Sequence, residues 1–288
     1  MALEESGLVD AGAVWRRLGG GRTNKCWAAL RGDDVRVCKL SLSAAQTPLF
    51  PNDAQVEATV LRHLTNTELA PTFLGYLETC DGDCIVYRYV FGSEAALKAA
   101  AAMRALRRLH RLAPPTNLRR VAGSSRELLA EADAMLTFAD EDGSERLRLL
   151  RPEDPGMRLG GMAFLHGDPV PGNVIRTPAG PVLIDWQCPA VGSPIHDIGM
   201  LLSPAMHVVN GARPPGPAEE TQALAAYGDA EVAATYRTLA PILAWRMAAY
   251  CTWKAARGDR SYEAGLEAEL RRLKRLRDQD QATHSGRT

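Results

Sequence analysis

Neither charge dominates this chain: 34 Lys and Arg side chains stand against 34 Asp and Glu, for a formal net charge of zero. A balanced chain offers no bulk attraction to nucleic acid or to an anionic membrane. Long apolar runs are also missing. The longest, residues 238–251, is broken by Pro241 and Arg246 and is too short and too charged to span a bilayer. The N-terminus lacks the basic, apolar, small-residue order of a signal peptide. These absences predict a soluble cytoplasmic protein with neither nucleic acid nor membrane as partner, and nothing marks an obligate protein partner. No internal repeat is present. The six cysteines (Cys26, Cys38, Cys80, Cys84, Cys188, Cys251) are scattered, and no second Cys pair or His cluster completes a zinc set. Cys80 and Cys84 flank Asp81-Gly82-Asp83 and read as small residues beside a hairpin turn.

What is present is enough apolar material, 46% of 288 residues, for one large core or two small lobes. Up to about residue 89 the pattern is mostly strand, with β-prone runs at 14–18, 24–30, 35–40, 72–78 and 84–89. Gly19-Gly20-Gly21 and the hairpin signal Gly32-Asp33-Asp34 divide the first three. A helix over 53–64, capped by Asn52, interrupts them, with Val56, Val60, Leu61 and Leu64 on its apolar face. From residue 94 helical periodicity takes over, broken only near 165–186. The expected fold is α+β and two-lobed: a small antiparallel sheet with this helix over 1–91, and a larger helical lobe over 92–288.

The segment HGDPVPGN at 166–173, followed by IDW at 184–186, carries the chemistry. Transfer of a phosphoryl group from ATP needs an Asp near the attacking hydroxyl, and an Asn and an Asp that hold Mg²⁺ against the phosphates. Asp168, Asn173 and Asp185 stand in that order, on a loop stiffened by Pro169, Pro171 and Gly172. Upstream, the glycines before Arg22-Thr23-Asn24 allow backbone N–H groups to approach phosphate oxygens, although the loop matches neither GxGxxG nor Walker A. Lys39, on the third strand, is placed to reach phosphates as a point charge. Glu57, near the start of the helix, is its natural ion-pair partner, and Glu68, past the helix end, is the rival.

With these motifs in place the chain resembles the aminoglycoside phosphotransferase and choline kinase family, the small-molecule branch of the protein-kinase-like fold, over residues 15–203. Residues 193–199 (SPIHDIG) and 106–110 (LRRLH) resemble two further family stretches. The form of residues 20–24 is nearer choline and thiamine kinases. The resemblance implies that Asp168 aligns or accepts the proton of a substrate hydroxyl, and that Asn173 and Asp185 ligate Mg²⁺. It implies that Lys39, paired with Glu57, places the phosphates of ATP under Gly20, Gly21, Arg22, Thr23 and Asn24. The linker with Tyr87, Tyr89 and Val90 would hold adenine. Asp197 would brace the catalytic loop, and His166 would pack beneath it. His110, His196 and His207 are read as ordinary helix or loop histidines.

A protein kinase is disfavoured, because no activation segment fits between Asp185 and the helix that begins near Asp197. The partner is then a small-molecule hydroxyl acceptor. A helix over 231–257 carries Trp245, Tyr250 and Trp253, which would either cage a cation such as choline or thiamine or simply pack the core. The basic run at 271–277 is read as the solvated face of a last amphipathic helix. Three functional readings follow: a kinase of a choline- or thiamine-like alcohol, an aminoglycoside or other sugar O-phosphotransferase, and a catalytically silent nucleotide-binding scaffold. The intact Lys39, Asp168, Asn173 and Asp185 speak against the last.

Overall fold

The computed structural model describes residues 2–19, 23–42, 46–93, 99–138 and 141–285. A short helix α1 (Ala2–Glu5) precedes a five-stranded sheet of β1 (Val14–Leu18), β2 (Lys25–Arg31), β3 (Asp34–Leu40), β4 (Phe73–Thr79) and β5 (Gly82–Arg88). Its order is β1-β2-β3-β5-β4 and every pairing is antiparallel. The β2–β3 turn falls at Gly32, whose φ of 57° is the left-handed conformation that glycine adopts without a Cβ penalty.

Alternation along these strands gives the sheet two buried faces. Val37, Lys39, Ile85 and Tyr87 point to the side where α2 (Ala54–His63) lays Val60, Leu61 and Leu64. Ala29, Cys38, Cys84 and Val86 point to the other, closed by Leu3, Leu8 and Val9. The N-terminal segment thus roofs a surface that would otherwise expose a row of apolar side chains. Asp53, not Asn52, caps α2: its Oδ1 accepts from the backbone N–H groups of Gln55 and Val56, each at 3.0 Å. Asn52 is drawn instead into a buried amide network described below.

The helical region comprises α3 (Ala99–His110), α4 (Ser125–Leu136), α5 (Glu141–Arg148), α6 (Ile195–Leu201), α7 (Pro204–Val209), α8 (Pro217–Tyr227), α9 (Ala230–Ala255) and α10 (Ser261–Ser285). Two small sheets sit between α5 and α6: β6 (Ala163–Leu165) with β9 (Ala190–Gly192), and β7 (Val174–Thr177) with β8 (Gly180–Leu183). α9 is buried on nearly every side from Leu239 to Thr252, as expected of a helix without a polar face. The basic stretch of α10 is solvated except at Arg272. That residue is 4% exposed and donates to Leu202 O, Glu220 and the Tyr236 hydroxyl, so burial is offset by acceptors on three other segments. All six cysteines are free thiols. No helix among the described residues is long and apolar enough to cross a membrane.

The chain leaves β5 through Gly92 and Ser93, and Ser93 exchanges backbone hydrogen bonds with Arg176 of β7 at 3.1 and 3.0 Å. This bridge ties the exit from the large sheet to the β7–β8 hairpin, which joins the HGDPVPGN and IDW segments. It leaves no room beside Gly92, where a Cβ would stand 2.5 Å from both Arg176 O and Ile175 Cγ2. We expect Gly92→Ala to lower stability by about 1–3 kcal/mol, the usual cost of overpacking; urea denaturation of the purified variant measures it.

Candidate active site

The strand–loop–strand β6–β7–β8 brings three side chains to one place. Asp168 lies in the loop after β6, Asn173 ends a short 3-10 turn just before β7, and Asp185 stands two residues past the end of β8. Asn173 Nδ2 donates to Asp168 O at 2.9 Å and to Asp168 Oδ2 at 3.2 Å. The other carboxylate oxygen, Oδ1, is buried and has no hydrogen-bond partner among the described residues. Burial, with the nearby charges of Asp185 and Asp197, holds the Asp168 pKa well above the usual carboxylate range. Strand β8 stops at Leu183, short of Asp185. The chain turns there, at φ 64°, a conformation that Asp tolerates better than most residues, and the turn carries the carboxylate back toward β3. Ile184 N–H donates to Asn173 O at 2.9 Å, which fixes the two metal-site candidates to each other through the backbone.

Lys39 meets them from the sheet. Its ammonium donates to Glu57 Oε1 and Oε2 at 2.9 and 2.6 Å, and it also pairs with Asp185. Lys39 and Glu57 are 3% and 2% exposed, so neither charge survives without the other. Burial works against the ammonium, but Asp185 and Glu57 more than offset it and hold the Lys39 pKa above its ordinary value. Glu68, the rival partner, lies at the surface beside Arg108.

The loop bearing Asp168 is held from beneath. Asp197, fully buried in α6, accepts from His166 N at 2.8 Å, Gly167 N at 2.8 Å and His110 Nε2 at 3.0 Å. His110 reaches on to the Tyr227 hydroxyl at 2.8 Å. It is therefore a positioning residue, a role that its place at the end of α3 did not signal. His166 is buried against Trp186, with ring centroids 4.4 Å apart. Its Nε2 bonds Ile184 O and its Nδ1 accepts from Asp168 N, which assigns a neutral ring, and burial lowers its pKa to match. His196 and His207 bond only backbone carbonyls. Gly167 has φ 84°, and any Cβ there would collide with Cys188 O.

A second tie joins the two regions. Asn24 is 8% exposed, so its side chain faces inward. Asn24 Nδ2 donates to Asn52 Oδ1 and to Gln187 Oε1, each at 2.9 Å, while Asn24 Oδ1 accepts from Leu42 N at 3.0 Å. From sequence Asn52 was read only as a helix cap and Gln187 was not singled out, since a polar residue in a loop gives no sign of a partner such as the one Asn24 finds 163 positions away. Of the remaining candidates, Gly20, Gly21 and Arg22 lie outside the described residues, and Thr23 is half-buried. Tyr87 is buried and pairs with Val37, two register positions from Lys39 and on the same sheet face. Tyr89 is 36% exposed, its ring 5.0 Å from that of Phe91, and Val90 is half-buried. The shared aromatic cage on α9 does not form. Trp245 is fully buried, donates to Leu147 O and carries Arg151 over its ring, whereas Trp253 stacks with Tyr250 and carries Arg257.

Hydrogen bonds from His110 and the His166 backbone overcome the cost of burial and hold the Asp197 pKa below its ordinary 3.8. A depressed carboxylate contributes its full stability above the unfolded pKa and loses it as pH falls through the folded one. We expect Asp197→Asn to cost about 2–5 kcal/mol near neutrality. The gap to wild type should stay level from pH 7 to 5 and narrow below about pH 4, as followed by denaturant titration across pH.

Comparison with known proteins places this geometry. Among curated proteins no match is found. Solved structures share the fold. A choline kinase from Cryptosporidium parvum superposes with a TM-score of 0.66 at 11% identity, covering 94% of this chain and 92% of that one. A choline/ethanolamine kinase family protein from Mesorhizobium loti gives 0.64 at 16% identity, over 93% and 89%. An aminoglycoside phosphotransferase in ternary complex with AMP-PNP and hygromycin B gives 0.63 at 13% identity, over 96% and 98%. The fold is that of the protein-kinase-like proteins, α+β with a five-stranded antiparallel sheet beside a helical region. Residues 14–242 match the model of the phosphotransferase enzyme family, and the chain belongs to that family.

Proposed function

We propose that this protein moves the terminal phosphoryl group of ATP to a hydroxyl of a small molecule, with Mg²⁺ as the metal. One observation carries the reading. A buried carboxylate oxygen, Asp168 Oδ1, has no partner among the described residues, and it belongs to a cluster whose other members are an amide, a second carboxylate and a lysine. Such an oxygen costs free energy unless a ligand completes it, and an acceptor O–H is the donor that would do so.

The donor set fits Mg²⁺. No group of three or more His, Cys, Asp or Glu side chains able to hold a metal ion exists among the described residues. Asn173 and Asp185 are two oxygen donors, and Mg²⁺ takes few protein oxygens because phosphates and water complete its shell. When bound, the ion would neutralise charge on the transferred phosphoryl. The side chains do the rest. Glu57 would hold Lys39 toward the phosphates, which would compete with Asp185 for the ammonium. Thr23 and Asn24 would border the phosphates, with the Asn24 side chain held by its amide network. Tyr87, Tyr89 and Val90 border the adenine side. Asp168 Oδ1 receives the hydroxyl proton as the acceptor oxygen bonds to the γ-phosphorus, the β–γ bridging bond breaks and ADP leaves.

The acceptor is a small alcohol. Choline- or thiamine-like alcohols were the first reading, and the fold shared with choline kinases supports them in outline. The aromatic cage that would favour a quaternary cation is not assembled, because Arg151 and Arg257 already cover the two indoles. An aminoglycoside or other sugar is the second reading.

Asp168→Ala should reduce ADP release in the presence of acceptor by about 10²–10⁴-fold while ATP still binds by calorimetry; unchanged turnover would remove Asp168 from the base role. Asp185→Ala should lose the Mg²⁺-dependent part of ATP affinity. Wild-type protein that binds ATP equally with and without Mg²⁺ would refute the assignment of Asp185.

A further inference from the structure

We propose that Tyr227 is a positioning residue for phosphoryl transfer: its hydroxyl selects the His110 tautomer whose N–H braces Asp197 beneath the Asp168 loop. The role in transfer rests on the phosphotransferase reading of that loop. Tyr227 closes α8, and Gly228, at φ 74°, turns the chain so that Asp229 caps α9. The Tyr227 side chain is buried, and its ring lies 5.7 Å from that of His110. Arg107, one turn before His110 on α3, stands over the same ring at 5.0 Å and donates to Asp229 Oδ2 at 2.9 Å. The Tyr227 hydroxyl is 2.8 Å from His110 Nδ1, and His110 Nε2 is 3.0 Å from Asp197 Oδ2. Asp197 in turn accepts from the N–H groups of His166 and Gly167, the two residues before Asp168, each at 2.8 Å. An unbroken line of buried hydrogen bonds thus runs from the end of α8 to the loop that carries the base.

The direction of these bonds follows from what each group can do. Burial pushes the Tyr227 pKa up, against the pull of Arg107, so the hydroxyl keeps its hydrogen. Its one hydrogen-bond acceptor among the described residues is His110 Nδ1, because the Arg107 guanidinium has only donors. The hydroxyl therefore donates to Nδ1, which assigns the ring hydrogen to Nε2, facing the carboxylate. A doubly protonated ring would leave the hydroxyl hydrogen without an acceptor there and would stand near Arg107. The opposite tautomer would turn the Nε2 lone pair toward Asp197 and remove a donor from a fully buried carboxylate. The charged and titratable groups around the ring are Asp197 from α6, Tyr227 from α8, Arg107 on α3 itself, Asp229 beyond Arg107, and His166 on the other side of Asp197. His196, the neighbour of Asp197 on α6, is bonded to Ala122 O, and β6 and β8, also packed on α3, carry no ionisable side chain.

The test has a spectroscopic arm and a kinetic arm, both on the full chain. In wild-type protein with isotope-labelled histidine, the nitrogen resonances of His110, identified by their loss in His110→Gln, should show a protonated Nε2 and an Nδ1 that accepts a hydrogen bond. A protonated Nδ1 overturns the proposal, whether or not the variants fold. The kinetic arm reads ADP release from MgATP with choline as acceptor or, where choline is not turned over, with water in the slow basal hydrolysis. Tyr227→Phe should lower kcat by about 10–100-fold, the cost of a slightly misplaced reacting group, and leave KM for ATP within about twofold of wild type. Its deficit should shrink as pH falls from about 8 to about 6, because a protonated ring again presents an N–H to Asp197. In the His110→Gln background, which has no tautomer to select, Tyr227→Phe should change kcat by less than about twofold. A wild-type kcat in Tyr227→Phe, a deficit that stays level with pH, or the same fold-loss in both backgrounds overturns the role of the hydroxyl and leaves the phosphotransferase standing. Failure of wild type to bind MgATP overturns the phosphotransferase reading itself and the positioning role with it.

Discussion

A buried ammonium between two carboxylates holds this molecule's functional geometry together. Lys39 comes from the sheet, Glu57 from the helix packed on that sheet, and Asp185 from a turn in the helical region. Each charge would be costly alone, and each is tolerable because the others are present. The cluster makes the position of α2 relative to β3 a condition for the position of the Asp185 carboxylate. The same residues that would bind nucleotide also report whether the two regions are correctly seated.

The loop with Asp168 is governed by a different economy. Its N–H groups are satisfied by Asp197, its His166 side chain by the Ile184 carbonyl, and its one steric gap by the missing side chain of Gly167. Among the described residues almost every polar atom around Asp168 is matched, which is how a low-dielectric site keeps a single conformation. Against that background the lone unmatched oxygen of Asp168 stands out. Preorganisation of this kind places the cost of binding in folding, so that little rearrangement is left for the moment of reaction.

Much of this was legible in the linear order of residues. Motifs such as HGDPVPGN and IDW are local, and their chemistry depends on residue type and spacing that any reader can measure. The strands and hairpins around Gly32 and Gly82 were equally visible, since turn chemistry and alternation are short-range signals. What escaped was long-range. Asn52 looked like a helix cap because caps are common at that position, but Asp53 competes for the same N–H groups and won. His110 looked ordinary because nothing in α3 announces Asp197, 87 positions on. Arg272 belonged by pattern to a solvated stripe, yet acceptors from α8, α9 and the end of α6 gather around it. The α9 aromatics lay on one helix, but neighbours that the sequence does not adjoin decided that each ring would be covered separately.

The amide network of Asn24, Asn52 and Gln187 differs in kind from the ion cluster beside it. It carries no net charge, so neither salt nor an arriving polyphosphate competes for its members. The Lys39–Asp185 pair does stand in that competition. The sheet and the helical region are thus joined twice over, once through neutral amides at residues 24, 52 and 187 and once through the charges of Lys39 and Asp185, and only the second junction weakens as ionic strength rises.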